Sequence, residues 1–236
     1  LPGLVLAPVR AGLGRPETRM PLVAFTTFAI LKAPPGDPAV QGFFDRLPET
    51  FGAADAFEGF VARSTRDPVT LRHSWGDPVQ PRFYDPARHA GVVFTLSLWR
   101  SLEPVNAFAY SGVHGEALRH RLEWFLEPEW PSYAAWWVDD GHVPDWHEAS
   151  RRLEHLHDHG ASPEAFGFRT PFGPDGAPIE IDRAAVVALA RRASARGAHL
   201  TEREAERDGI LRALKAGADG PRQAGGDANG GGPSSA

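Results

Sequence analysis

The sequence predicts an α+β domain of ferredoxin-like βαββαβ order. Three observations predict it: strand-like apolar runs alternate with helical stripes, the elements follow in the order strand, helix, strand, strand, helix, strand, and the strands are apolar on both faces. Leu22 to Leu31 opens the series with two alternating sets, Leu22, Ala24, Thr26, Phe28, Ile30 and Val23, Phe25, Thr27, Ala29, Leu31. Pro34-Pro35-Gly36 ends that strand. Asp37 then caps a helix with Pro38 in its first turn, where the missing N–H costs nothing, and Val40, Phe43, Phe44 and Leu47 form its buried face. Gly59 to Ser64 reads as a second strand and Val92 to Trp99 as a third. Between them Thr65 to Ala90, rich in Pro, Asp and Arg, reads as a long loop or loose hairpin, a kind of segment that is often functional. Ser101 to Phe125 is helical with a break at Ser111-Gly112. Tyr133 to Val138 is the fourth strand, and Trp146 to His159 an amphipathic helix.

Composition bounds the rest. The 236 residues are 42% hydrophobic and 23% charged, with a formal net charge of −5, as for an ordinary globular chain. Both signs are interspersed, so the basic stripe of a nucleic-acid binder is absent. Without cysteine there are no disulfides, thiolate nucleophiles or Cys-based metal sites, which fits a cytoplasmic protein. No apolar run reaches the roughly 18 residues that span a bilayer. Leu1 to Arg19 is broken by Pro2, Pro8, Gly12, Gly14 and Pro16 and lacks a signal peptide's continuous apolar core. Met20, the single methionine, is expected to be the natural start. The expected organisation is an extension over 1–19, a folded domain over 20–172, peripheral helices over 173–216 and a disordered Gly/Ser-rich tail over 217–236. In the third segment Ala185, Val186, Leu189 and Ala190 form a stripe. Thr201 with Glu204 forms a capping box for a second helix after Gly197.

In that pattern both helices cover one sheet face. The other face, also apolar, is expected to pair with the sheet of a second copy, which makes a homodimeric α/β barrel.

The second half of the domain resembles a known family. The residues that carry the likeness are Leu98-Trp99-Arg100-Ser101, Phe108, Tyr110, His114, Leu118, Arg121, Trp124-Phe125, Trp136-Trp137-Val138, Gly141-His142 and Pro144. Further marks are Glu148-Ala149, Arg152-Leu153, Leu156, Gly160, Pro163, Ala165-Phe166 and Phe168-Arg169. They resemble the uncharacterised bacterial domain of unknown function 3291, similar to the antibiotic-biosynthesis monooxygenases and other dimeric α/β barrels. The chain departs from the pattern at Ala62, where an aromatic is usual, at Thr95, where Asn is common, and in the length of the loop 66–89. The resemblance implies a dimeric barrel and, by analogy, a monooxygenase-like enzyme acting on a hydrophobic or aromatic metabolite. The alternative is a non-enzymatic small-molecule-binding or dimerisation module.

His114 is the leading candidate. It stands three residues after Ser111, a plausible N-cap, in a first helical turn whose dipole disfavours an imidazolium. A neutral ring serves as base or ligand, and haem-binding members of the wider superfamily place an axial His on this helix. Three roles stay open: a structural anchor of the helix start, a base in a cofactor-free pocket, and a haem ligand. Tyr110 and Leu118, four residues to either side, are expected on the same face, and Arg119 and Arg121 face haem propionates or a substrate carboxylate. Phe25, Trp99, Tyr110, Arg121 and Trp137 are the candidate lining, although four tryptophans (Trp99, Trp124, Trp136, Trp137) also make an ordinary core. His155 and His159 are one helical turn apart and spaced for a metal, but they lie at a helix end where His suits the dipole. His73, Trp75 and His89 occur in the long loop. No dinucleotide or phosphate loop and no nucleophile elbow is present.

Deleting Leu1–Arg19 or Gly217–Ala236 should leave the thermal midpoint nearly unchanged, because neither segment carries a buried face. Differential scanning calorimetry of the two truncations checks this.

Overall fold

The computed structural model describes residues 20–139 and 141–197. The chain divides into two units, Leu1–Ala193 and Ser194–Ala236. The expected second helix beyond Gly197 and both terminal segments lie outside the described residues. The first unit is a mixed α+β structure. Its sheet comprises β1 (Leu22–Ile30), β2 (Phe60–Arg63), β3 (Val92–Trp99) and β4 (Tyr133–Val138). Its helices are α1 (Pro38–Asp55), α2 (Leu102–Tyr110), α3 (Gly112–Arg119), α4 (Arg121–Trp124) and α5 (Trp146–His159), and its last residues, 183–193, belong to a sixth helix, α6, over 183–197.

Every strand pairing is antiparallel, in the order β2-β3-β1-β4. The two inner strands, β1 and β3, carry the longest apolar runs, because an inner strand must bury both faces. Polar residues within them are satisfied internally. Buried Thr26 donates through Oγ1 to Thr95 O at 2.7 Å, and Ser97 Oγ donates to Phe25 O at 3.2 Å. The outer edge of β4 is paired rather than open: Ala135 exchanges both backbone hydrogen bonds, 2.8 and 2.9 Å, with Phe166. That pairing removes one row of free donors and acceptors that would invite strand addition.

One face of the sheet packs beneath the helices that follow β1 and β3. Val23, Phe25, Trp99 and Ala135 meet Leu102, Val105 and Phe166, while Leu31 and Val40 meet Trp124. Gly59 enters β2 with φ +88°, and a Cβ there would lie 2.5 Å from Pro104 Cγ. Only glycine permits both that conformation and that approach. Asp37 caps α1 as expected, accepting from Ala39 N at 2.8 Å. The expected break falls at Ser111, which has extended backbone between α2 and α3.

The opposite face departs from expectation. A partner sheet was expected on it, but the chain covers its residues Ala24, Phe28, Leu96, Leu98 and Trp136 itself, through Trp146, Ala149 and Leu153 of α5 and through Trp75, Val79 and Phe83 of residues 65–90. The long loop is therefore a strap across the sheet. Polar bonds hold it to α5: Ser150 Oγ donates to Val79 O, Arg82 N donates to Glu154 Oε1 at 2.7 Å, and the Arg82 guanidinium grips Asp158. Sequence patterning does not register this cover, because the strap's few large side chains are spaced by prolines and charges with no helical or strand period. The sheet is open, with two distinct edge strands, and the apolar face that motivated a paired barrel is occupied. Among the described residues no helix is long and apolar enough to cross a membrane.

Trp146 is 2% exposed and packs on Phe94 with ring centroids 4.9 Å apart, beneath the strap. Trp146→Ala should cost about 3–5 kcal/mol, whereas Val69→Ala, at 87% exposure on the strap, should stay within about 0.5 kcal/mol. Urea denaturation of the two variants checks the contrast.

Candidate functional site

The break at Ser111 builds the surroundings of His114. The Ser111 hydroxyl does not cap α3; it turns back and donates to Ala107 O at 2.6 Å. The chain then re-enters a helix so tightly that a Cβ on Gly115 would stand 2.7 Å from Tyr110 O. His114, in the first turn of α3, closes the gap left by the interrupted ladder. Its Nδ1 lies 2.8 Å from Ala109 O. A carbonyl only accepts, so Nδ1 carries the proton and Nε2 keeps its lone pair. The ring packs on Phe108, centroids 4.9 Å apart, and Phe108 in turn packs on Trp99 and Phe57. Burial holds the imidazole below its ordinary pKa, with the Ala109 bond acting in the opposite direction. The result is a half-buried neutral histidine of fixed tautomer, bounded on one side by aromatic rings.

The other expected lining residues do not gather around it. Trp99 is core: its Nε1 donates to Ser97 Oγ at 2.9 Å and its ring meets Phe57 and Phe60. Phe25 stacks on Phe168 beside Tyr133. Tyr110 was expected on the face of His114, but the helix break rotates the two apart. Tyr110 is half exposed and meets Phe168 edge-on, while His114 meets Phe108. Tyr133, whose hydroxyl accepts from Phe168 N, is pushed up to about 12, chiefly by burial. Arg121 is exposed and donates to Leu118 O, and Arg119 pairs with Glu116. Neither is held beside His114. Trp137 is half-buried, its Nε1 donating to Phe172 O at 2.7 Å.

The rings of the helix-end His155 and His159 lie 4.8 Å apart, and the histidines there take other partners. His155 bonds Ser162 Oγ at 2.8 Å and faces Glu164, while His157 bonds Asp158. Among the described residues no group of three His, Asp or Glu side chains is placed to hold a metal ion. In the strap, His89 Nδ1 accepts from Asp85 N. His73 lies edge-on to Trp146 and is lowered by burial first and by Arg66 second.

The residue that sequence reasoning passed over is Glu148. Asp145 caps α5 through Glu148 N at 2.7 Å, which places Glu148 in the first turn, facing β4. Its Oε1 accepts from Trp136 Nε1 at 2.8 Å and Arg152 Nη2 at 3.2 Å, and its Oε2 accepts from His142 Nε2 at 2.8 Å. Burial works to raise this carboxyl, yet the bonds from His142, Arg152 and Trp136 together outweigh it and hold it below the ordinary value. A shallow depression of about 300 Å³ opens beside the pair. The sequence carried a signal in two forms. Asp145-x-x-Glu148 is the spacing of a reciprocal cap, and Trp136, His142, Glu148 and Arg152 are all among the residues that carry the family likeness.

Fold and site together define an α+β protein with a four-stranded antiparallel sheet and a neutral histidine at a broken helix. The chain belongs to the family described as a domain of unknown function (DUF3291), whose model matches residues 22–182. No curated protein matches the chain. Similar solved structures include a protein of unknown function from Nitrosomonas europaea. It is 11% identical, with a TM-score of 0.33, and the match covers 53% of this chain and 95% of that one. A second is a protein from Pseudomonas aeruginosa, 9% identical, with a TM-score of 0.32, covering 54% of this chain and 99% of that one. Likenesses this distant carry no argument about activity.

Replacing His114 by Ala should cost about 1 kcal/mol for the lost hydrogen bond. Because its folded pKa is lowered, the neutral ring's contribution is full above the unfolded value of about 6.5 and is lost as pH falls below it. The variant's stability should therefore fall less steeply with acidification than the wild type's. A residual slope should remain from His73, which is lowered in the same sense. Urea melts across this pH range check both parts.

Proposed function

We propose that this protein is a monooxygenase-like enzyme acting on a small hydrophobic or aromatic metabolite, in a ferredoxin-like domain of the dimeric α/β-barrel superfamily. The strand order β4-β1-β3-β2, antiparallel throughout and with the helices after β1 and β3 on one face, supports the fold assignment. The observation that carries the functional reading is the His114 tautomer. Nδ1–H is committed to Ala109 O, so Nε2 is the group able to accept a substrate proton. Burial keeps it unprotonated near neutral pH, where a base must be free. The Phe108 ring packed against it gives the site an apolar wall, which suits an apolar substrate.

The same tautomer bears on haem. A backbone carbonyl bonded to Nδ1–H is the usual outer partner of a metal-ligating histidine, so His114 would hold the iron through Nε2. Bound haem would supply activated oxygen chemistry. Arg119 and Arg121, expected at the propionates, are engaged with Glu116 and Leu118, so the propionate cradle expected from the sequence does not form and no step is assigned to haem.

The test is oxygen uptake with a dihydroxynaphthalene, with and without added haemin. Uptake in either condition that falls about a hundredfold or more in a folded His114→Ala variant supports the reading. Dependence on haemin, with a Soret band lost in the variant, would assign the ligand role. Uptake unchanged in the variant, or none in either condition, overturns it.

A further inference from the structure

The depression beside Glu148 lies at the end of β4, away from His114, and its chemistry is one-sided. Its wall is formed chiefly by Trp137, Val138, Pro174, Asp139, His142 and Glu148. The side-chain donors among these are already committed. Trp137 Nε1–H is bonded to Phe172 O. Glu148 is held ionised by Trp136 and Arg152 from behind, and an ionised carboxylate only accepts. His142 must therefore turn Nε2–H toward Glu148 Oε2, 2.8 Å away, so that in the neutral ring Nδ1 is the acceptor. Arg152 is not among the lining residues; its Nη2 is on Glu148 Oε1 and its Nη1 on Glu164 O at 2.9 Å.

What remains on offer is acceptors and apolar surface: the exposed carboxylate of Asp139, the Nδ1 lone pair of His142, the indole ring of Trp137, and Val138 with Pro174. Glu148, at 12% side-chain exposure, backs His142, which is 49% exposed, so the acceptor is held on a buried and fully bonded support.

We propose that this depression binds a small organic ammonium ion with a flat apolar body. The ammonium N–H groups meet the Asp139 carboxylate and His142 Nδ1, and the body lies on Trp137, whose ring also attracts the charge. Among the described lining residues an anion finds no uncommitted side-chain donor, and a neutral hydrocarbon leaves the acceptors unused. The volume, about 300 Å³, is at the lower end of small-molecule sites and admits one ring with a short chain.

The test compares 2-phenylethylammonium chloride with 3-phenylpropionate by proton–nitrogen NMR of the full chain, following the Trp137 indole, assigned with Trp137→Phe, and the Asp139 amide. Saturable shifts with the ammonium probe and none with the carboxylate are expected. Asp139→Asn, an exposed change that leaves the Glu148 network intact, should weaken the ammonium probe about fivefold, the upper range for an exposed charge pair. No saturable shift with the ammonium probe, equal or tighter binding of 3-phenylpropionate, or an affinity unchanged in Asp139→Asn overturns the proposal. His114 takes no part in this site, so the outcome is independent of the oxygenase reading.

Discussion

Everything in this fold answers to a sheet whose inner strands are apolar on both faces. Four antiparallel strands bury two layers of side chains, and each layer needs its own cover, since apolar surface left in water costs about 25 cal/mol per Å². The helices after β1 and β3 supply one cover. The other is assembled from α5 and the strap, and neither suffices alone: α5 brings Trp146, Ala149 and Leu153, while the strap brings Trp75, Val79 and Phe83. The strap has only a short antiparallel pairing of its own, between Arg66 and His73, and that does not hold it to the sheet. Ser150, Glu154 and Asp158 fix it instead, all from α5. Asp158 is held well below the ordinary carboxylate range by Arg82 first and His157 second, so acid should loosen this attachment as that carboxylate is protonated.

The broken helix shows how a structural need and a chemical opportunity coincide in one residue. Interrupting α2 at Ser111 leaves backbone carbonyls without the donors an unbroken helix would give them. Ser111 satisfies Ala107 O and His114 satisfies Ala109 O. The second bond is also what sets the imidazole's tautomer. A residue recruited to repair a helix end is thus left with an unprotonated nitrogen in a poorly hydrated place, the condition for base or ligand chemistry.

The Glu148 network works by the opposite logic. There a buried carboxylate would be costly alone, and three donors from three places, Trp136 on β4, His142 on the turn and Arg152 one helical turn on, meet it. These bonds tie the N-terminal turn of α5 to the sheet edge and consume donors that would otherwise face the depression, which fixes the kind of ligand the depression suits.

The sequence by itself determined the secondary structure closely, and for local reasons. Short runs apolar on both faces mark β1, β3 and β4. Asp37-Pro38 marks the start of α1, Ser111-Gly112 the helix break, and Gly160 the end of α5. Each is decided by backbone sterics or by hydrogen bonds a few residues apart. The tryptophans' core role was legible too, since large apolar rings in strands and helix faces make a core, and Trp99, Trp124 and Trp136 are core. What only the tertiary structure decided is whatever joins residues distant in the chain. The strap's cover of the sheet depends on contacts some 70 residues apart, such as Ser150 with Val79, and no period in the strap announces them. The separation of Tyr110 from His114 depends on the turn angle at Ser111, which helical spacing assumes away. Trp136, His142, Glu148 and Arg152 were each visible as marks of a family, yet their convergence on one carboxylate needed the packing of α5 against β4, because hydrogen-bond partners are chosen by proximity in space and not by separation in sequence.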